Sequence, residues 1–290
     1  MVMRRSEIAE FTAKNRAILV RTEKIYGSTP REAGAFMLVG EKEEFGTIGG
    51  GQLEYIAIDK ARQMLRNDSK KSELDVPLGS EIGQCCGGKV FLSLQMVDDE
   101  IAAELQNMMK EQEKNLPHVY IFGAGHVGRA LAVALKELPL RTIIIDEREK
   151  ELALVREGIE CRLSALPEVE INGAPPNSSF VILTHDHGLD FLLARQALER
   201  KDAYYVGMIG SKTKRAVFSN WMKKHVGQHG AQQSLVKSLI CPIGGGKLND
   251  KRPQIIAAMV AAEILMHTDG RHEITSGQQG SAYAQVGGKI

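Results

Sequence analysis

Two thiols stand side by side at Cys85-Cys86, flanked by Gln84 and by Gly87-Gly88, in a chain of 290 residues with only four cysteines. A thiolate is a nucleophile and a soft metal ligand. Neighbouring residues of a strand face opposite ways, so one buried wall has no use for both side chains. Two readings follow from the residues. In one, a thiol sits at a turn beside flexible glycine backbone, within reach of a ligand, a metal or sulfur chemistry. In the other, the pair is a small apolar plug next to a turn.

A second kind of chemistry is phosphate binding. Gly123-Ala124-Gly125-His126-Val127-Gly128 follows an apolar segment that reads as a strand and opens one that reads as a helix. Such glycines allow a tight turn, backbone approach to a phosphate and close helix packing, and the N–H groups of the helix start face the anion. Asp146 closes the next predicted strand, where it would accept a hydrogen bond from a ribose hydroxyl and favour NAD over NADP. His126 either adds a titratable ring to the loop or is a solvent-facing residue of the first helical turn.

Three more segments fall at the carboxyl ends of predicted strands, where open parallel sheets take their ligands. They are Thr184-His185-Asp186-His187, Gly207 to Lys212, and Pro242 to Lys247. His185, Asp186 and His187 offer two imidazoles and a carboxylate. Without a further ligand nearby they point to polar ligand contacts over a metal. Ser211 and Lys212 before a helix resemble an anion cradle, with Lys214 and Arg215 close by, although a solvated helix face explains the same cations.

The elements that must hold these groups divide at Asn115-Leu116-Pro117. Before it, strands are expected at 17–25, 34–39 and 90–97, with a helix whose apolar positions are Leu53, Ile56, Ala57, Ala61, Met64 and Leu65. A charged helix over 98–114 closes this part. After it, strands at 118–122, 141–146, 159–163, 179–184, 203–208 and 238–241 alternate with helices at 126–137, 149–157, 189–200, 211–224 and 253–267. That alternation predicts a doubly wound parallel sheet. The expected organisation is an N-terminal α+β domain over 1–115, a Rossmann-like α/β domain over 116–268, and a mobile tail over 269–290.

Composition bounds the partners. Net charge is +1, with 43% hydrophobic and 25% charged residues, which gives no reason to expect nucleic acid or an anionic membrane. The start of the chain turns acidic too soon for a secretory signal, and no 18-residue apolar run follows. The four cysteines show no paired framework, so a cytoplasmic protein with reduced thiols is expected.

Taken in order, the motifs resemble the xanthine dehydrogenase accessory factor family, XdhC/CoxI. Its N-terminal signature is matched by Gly27-Ser28-Thr29-Pro30-Arg31-Glu32-Ala33-Gly34, by Gly46-Thr47-Ile48-Gly49-Gly50-Gly51-Gln52-Leu53-Glu54 and by Gly83-Gln84-Cys85-Cys86-Gly87-Gly88. The loop at 122–128, the Thr-His-Asp-His at 184–187 and the segment 207–215 match its second half. The loop at 225–234 and the tail match no motif.

The resemblance implies a molybdenum cofactor chaperone that binds molybdopterin, protects it while a cysteine desulfurase supports its sulfuration, and inserts it into apo-xanthine dehydrogenase. A homodimer is implied as well. On this reading a cleft between two domains takes the cofactor. Arg31, Gly49, Gly50, Gly51 and Glu54 approach it, Cys85 and Cys86 face molybdenum beside Gln84, and Gly123, Gly125, His126, Gly128, Ser211 and Lys212 hold phosphate. Glu54 serves either as a polar ligand contact or as a carboxylate favoured by the helix dipole. Two rivals differ in class: an NAD-dependent oxidoreductase with a dinucleotide at the Rossmann loop and Asp146, and a recruitment scaffold that binds no cofactor. A dinucleotide could also act as a regulator beside the pterin.

Overall fold

The computed structural model of the chain describes residues 5–29, 31–79, 87–226, 235–245 and 250–279. The chain forms two compact units, Met1–Asn115 and Leu116–Ile290.

In the first unit, α1 (Arg5–Lys14) leads into β1 (Ile18–Tyr26), β2 (Phe36–Val39), β3 (Glu44–Gly46), α2 (Gly51–Asn67), β4 (Lys71–Leu78), β5 (Gly88–Met96) and α3 (Asp99–Lys114). The strands form one antiparallel sheet in the order β3-β2-β1-β5-β4. Alternation along β1 sends Ile18 and Val20 to one face and Leu19 to the other. The first face packs against Leu53, Ala57, Ala61, Met64 and Leu65, which recur at helical spacing along α2. The second packs against Ile8 and Phe11 of α1 and Leu105 and Met109 of α3. Asp98 caps α3 by accepting the Ile101 N–H at 2.9 Å.

Three elements of this unit go beyond the sequence-based expectation: α1, β3 and β4. In β4 the exposed Lys71, Glu73, Asp75 and Pro77 outnumber the buried Val76 and Leu78. Charge and proline suit an edge strand, whose outer backbone needs no partner.

The second unit runs β6 (His118–Phe122), α4 (His126–Leu135), β7 (Arg141–Asp146), α5 (Glu149–Leu152), β8 (Glu160–Leu163), α6 (Glu168–Gly173), β9 (Ser179–Ile182), α7 (His187–Glu199), β10 (Tyr205–Met208), α8 (Lys212–Val226) and α9 (Pro253–Gln279). Its sheet is parallel throughout, in the order β10-β9-β6-β7-β8. Tyr120, Phe122, Phe180 and Ile182 face α6, α7 and α8, whereas Val119, Ile121 and Val181 face α4 and α9. Burial on both faces explains why these strands read as nearly unbroken apolar runs. The fold is Rossmann-like, as the alternation of elements predicts.

The short helix α6 was not expected, and boundaries differ by more than two residues at three places. The helix expected over 149–157 stops at Leu152, and turns follow up to Gly158, whose φ of 79° suits glycine. The strand expected at 238–241 is reduced to a single parallel bridge between Ile240 and Gly207, since Pro242 has no N–H to extend it. The last helix continues past 267 to Gln279. Among the described residues, no helix is long and apolar enough to cross a membrane.

Candidate functional site

In the first unit, strand direction gathers the motif loops. β1 and β4 end, and β5 begins, at the same end of the sheet, and β3 runs parallel to β1 toward it. The connections at 27–35, 47–50 and 79–87 therefore open to one end. Ser28 bridges Gly87, and the Gly87 N–H donates to the Leu78 carbonyl at 2.8 Å. A side chain at Gly88 would run into the carbonyl oxygens of Ser28 and Tyr26. Two motifs that lie far apart in the chain are thus joined through main chain. Gln84, Cys85 and Cys86 lie outside the described residues, in the connection whose roots this bridge fixes.

Gly49, Gly50 and Gly51 have φ of 131°, 81° and 64°, a run of left-handed backbone that only glycine adopts cheaply. Glu54 organises it. Its carboxylate accepts the Thr47 hydroxyl at 2.5 Å and the Ile48 N–H at 2.9 Å, while the Gly49 N–H donates to Thr47 Oγ1 at 3.1 Å. Partial burial pulls the Glu54 carboxyl up, but the Thr47 hydroxyl and the N–H groups of residues 48–50 outweigh it and hold its pKa below the ordinary glutamate range. Glu54 therefore acts on the loop itself. Arg31 is exposed, and its carbonyl accepts the Thr29 hydroxyl at 3.0 Å.

In the second unit the strand order reverses between β6 and β9, and the ligand crevice of such a sheet lies at that switch, beyond the carboxyl ends of the strands. The three glycines of the 123–128 loop have separate tasks. Gly123, at φ 115°, leaves no room for a side chain against the carbonyl of Leu183, and Gly128 leaves none against the carbonyl of Gly123. Gly125 has nothing within 4 Å of where a Cβ would stand, and no side chain caps α4 at this residue. The open glycine is the one at which an anion can approach backbone. His126 is exposed on the first turn of α4.

Beside this loop, Asp146 is buried and holds four donors. They are the Ala124 N–H at 2.7 Å, the Arg148 N–H at 3.0 Å, and Arg148 Nε and Nη2, each at 2.8 Å. Desolvation works to raise the Asp146 carboxyl, yet the bonds from Arg148 and Ala124 keep its pKa below the usual range.

Asp186 caps α7, accepting the N–H groups of Gly188 at 2.6 Å and Leu189 at 3.0 Å, and these bonds lower its pKa. His185 Nε2 lies 3.6 Å from Glu147 Oε1, and His187 is exposed at the helix start. No group of three metal-ligating side chains occurs among the described residues. Ser211 plays the capping part for α8, its hydroxyl accepting the Lys214 N–H at 3.2 Å, while Lys212 is exposed.

Three groups of this unit escaped the sequence reading: Arg148, Asp190 and Glu263. Arg148 clamps Asp146, and Asp190 accepts both the N–H and the hydroxyl of Thr184 while pairing with Lys214. Glu263 accepts the Tyr205 hydroxyl at 2.8 Å and the Gly244 N–H at 3.1 Å, tying the loop after Pro242 to α9. A carboxylate inside the apolar run Leu189–Leu193 was the available signal for Asp190.

Comparison with known proteins follows this geometry. The family model of the XdhC Rossmann domain matches residues 119–264, and that of the XdhC and CoxI family matches residues 12–75. The uncharacterized protein YqeB of Escherichia coli K12 is 24% identical over 258 residues, which are 82% of this chain and 41% of YqeB. The chain thus spans about two fifths of the length of that curated relative. A Bacillus halodurans crystal structure at 2.80 Å resolution, described as a xanthine dehydrogenase, superposes with a TM-score of 0.74 at 18% identity, over 93% of this chain and 97% of that one. At that identity the likeness concerns the fold.

Proposed function

The chain belongs to the XdhC and CoxI family, and from that premise we propose that it is a xanthine dehydrogenase accessory protein that carries the molybdenum cofactor. The observation that carries this reading is the open backbone at Gly125, held between two glycines that admit no side chain. Molybdopterin ends in a phosphate monoester, and that group fits a loop with bare N–H donors at the start of a ten-residue helix. Ser211 and Lys212, at the start of α8, are the second set of groups suited to it.

In the first unit the glycine run at 49–51, shaped by Glu54, and the thiol connection rooted on Ser28 open to one end of the sheet. Cys85 and Cys86 are the side chains suited to a thiophilic metal. When bound, the cofactor supplies a molybdenum atom whose terminal sulfido ligand the recipient enzyme needs. The chain's own work is to hold the phosphate and to offer thiolates to a thiophilic metal. Apo-xanthine dehydrogenase and a cysteine desulfurase are the partners this role requires, and a homodimer is the assembly the family resemblance implies.

The test is retention. Purified chain is incubated with molybdopterin, passed through gel filtration, and its fluorescent oxidised pterin is quantified per chain. Stoichiometric retention by the wild type, lowered in Cys85→Ala or Cys86→Ala, supports the proposal. Absence of pterin on the wild-type chain would overturn it in favour of a scaffold that recruits partners alone.

A further inference from the structure

A Rossmann loop is ordinarily completed by an acidic residue at the end of the second strand, which receives the ribose diol of a dinucleotide. Here that residue is Asp146, and its carboxylate already has four donors, all within 3.0 Å. An ionised carboxylate offers about four lone-pair sites, so none is left for a ribose hydroxyl. Three of the four donors come from Arg148, two residues along the chain, through its backbone N–H and a two-pronged guanidinium contact. Bidentate charge-assisted pairs of this kind are among the stronger and more directional hydrogen bonds of proteins.

Exposure reverses the usual chemistry of the position. The Asp146 side chain is 3% exposed and that of Arg148 is 36% exposed, so a ligand arriving at the end of β7 meets guanidinium where a dinucleotide needs carboxylate. Arg148 is also a poor receptor for the 2′-phosphate of NADP, because its Nε and Nη2 donors are already engaged by the Asp146 carboxylate.

We infer that Arg148 is a specificity-determining residue that closes the ribose position of this Rossmann loop, so that the site rejects NAD and NADP and takes a phosphate ester with no ribose diol to place at β7. The inference rests on the proposed cofactor-carrying role for the identity of that ester, and on the Asp146–Arg148 geometry for the exclusion.

Equilibrium dialysis of the full chain against NAD and, separately, NADP tests it. The wild type should show no binding below millimolar concentration. Arg148→Ala should bind NAD roughly tenfold or more tightly, the effect of about one regained hydrogen bond, and the added substitution Asp146→Asn should abolish that gain. Arg148→Gln, which keeps much of the side chain's length without the fork, serves if the alanine variant fails to fold. Micromolar binding of NAD or NADP by the wild type overturns the inference, as does the lack of any gain in both Arg148 variants. Pterin retention measured on the same samples separates the two readings: a wild type that retains pterin and also binds NAD sinks only the exclusion.

Discussion

Lys214 Nζ lies 2.5 Å from the Asp190 carboxylate, with 11% and 1% of the two side chains exposed. Asp190 also receives the N–H and hydroxyl of Thr184, so one buried carboxylate joins the start of α8 to the segment before α7. Removing it strands an ammonium group and a backbone donor out of water. Asp190→Ala should lose about 3–5 kcal/mol in urea unfolding. A loss below about 1 kcal/mol, the range of an exposed pair, would show that water reaches the site.

The glycines of the 123–128 loop should separate binding from folding. A methyl group at Gly128 has nowhere to go, and Gly128→Ala should cost at least about 2 kcal/mol. Gly125 has a φ of −67° and open space around it, so Gly125→Ala should keep stability within about 0.5 kcal/mol. It should nonetheless retain several-fold less pterin. Equal retention by Gly125→Ala and wild type in the gel-filtration assay would remove the loop from the binding site.

Acid should loosen the first unit through Glu54. Its folded pKa lies below the ordinary value, so its contribution is complete above the normal glutamate range and is lost as pH falls through the lowered folded value. Glu54→Gln should be less stable by about 1 kcal/mol at neutral pH, with the gap closing as pH falls below the ordinary glutamate range. Urea midpoints across that range give the comparison. A constant gap would mean that the charge on Glu54 does not support the loop.

Gly88 offers a way to disturb the thiol connection without touching either thiol. Gly88→Ala forces the Ser28 and Tyr26 carbonyls apart from β5, and a cost of about 1–3 kcal/mol is expected. Cys85 and Cys86 should then react faster with a maleimide. Unaltered labelling rates would show that the Ser28–Gly87 bridge does not govern their access.

The glycine loop at 123–128 and most of the alternating elements of the second unit were legible because their information is local. Gly123, Gly125 and Gly128 stand at fixed offsets between a strand and a helix, and both-face burial writes β6, β7 and β9 as apolar runs. β4 was missed because an edge strand carrying Lys71, Glu73, Asp75 and Pro77 has the composition of a loop. The roles of Asp146, Asp186 and Lys214 were only partly visible. Each side chain has the type that binds ligands, yet each is held by a hydrogen bond or ion pair that spacing alone does not reveal. Asp190 and Lys214 are 24 residues apart and meet only through the fold.

α2 and β4 are joined at residues 68–70, with Asp68 in a left-handed conformation at the helix end, and they act as struts of equal height. The helix has 17 residues and the strand 8, which rise about 25 Å and about 26 Å. Starting from a common foot, one strut lifts the Gly49–Gly51 run and the other lifts the root of the Cys85-Cys86 connection to the same level. Ile48 and Leu53 share a core cluster with Leu78 at that level. An added helical turn in α2 would raise the glycine run by about 5 Å against Leu78, a mismatch that leaves the sequence of both motifs untouched.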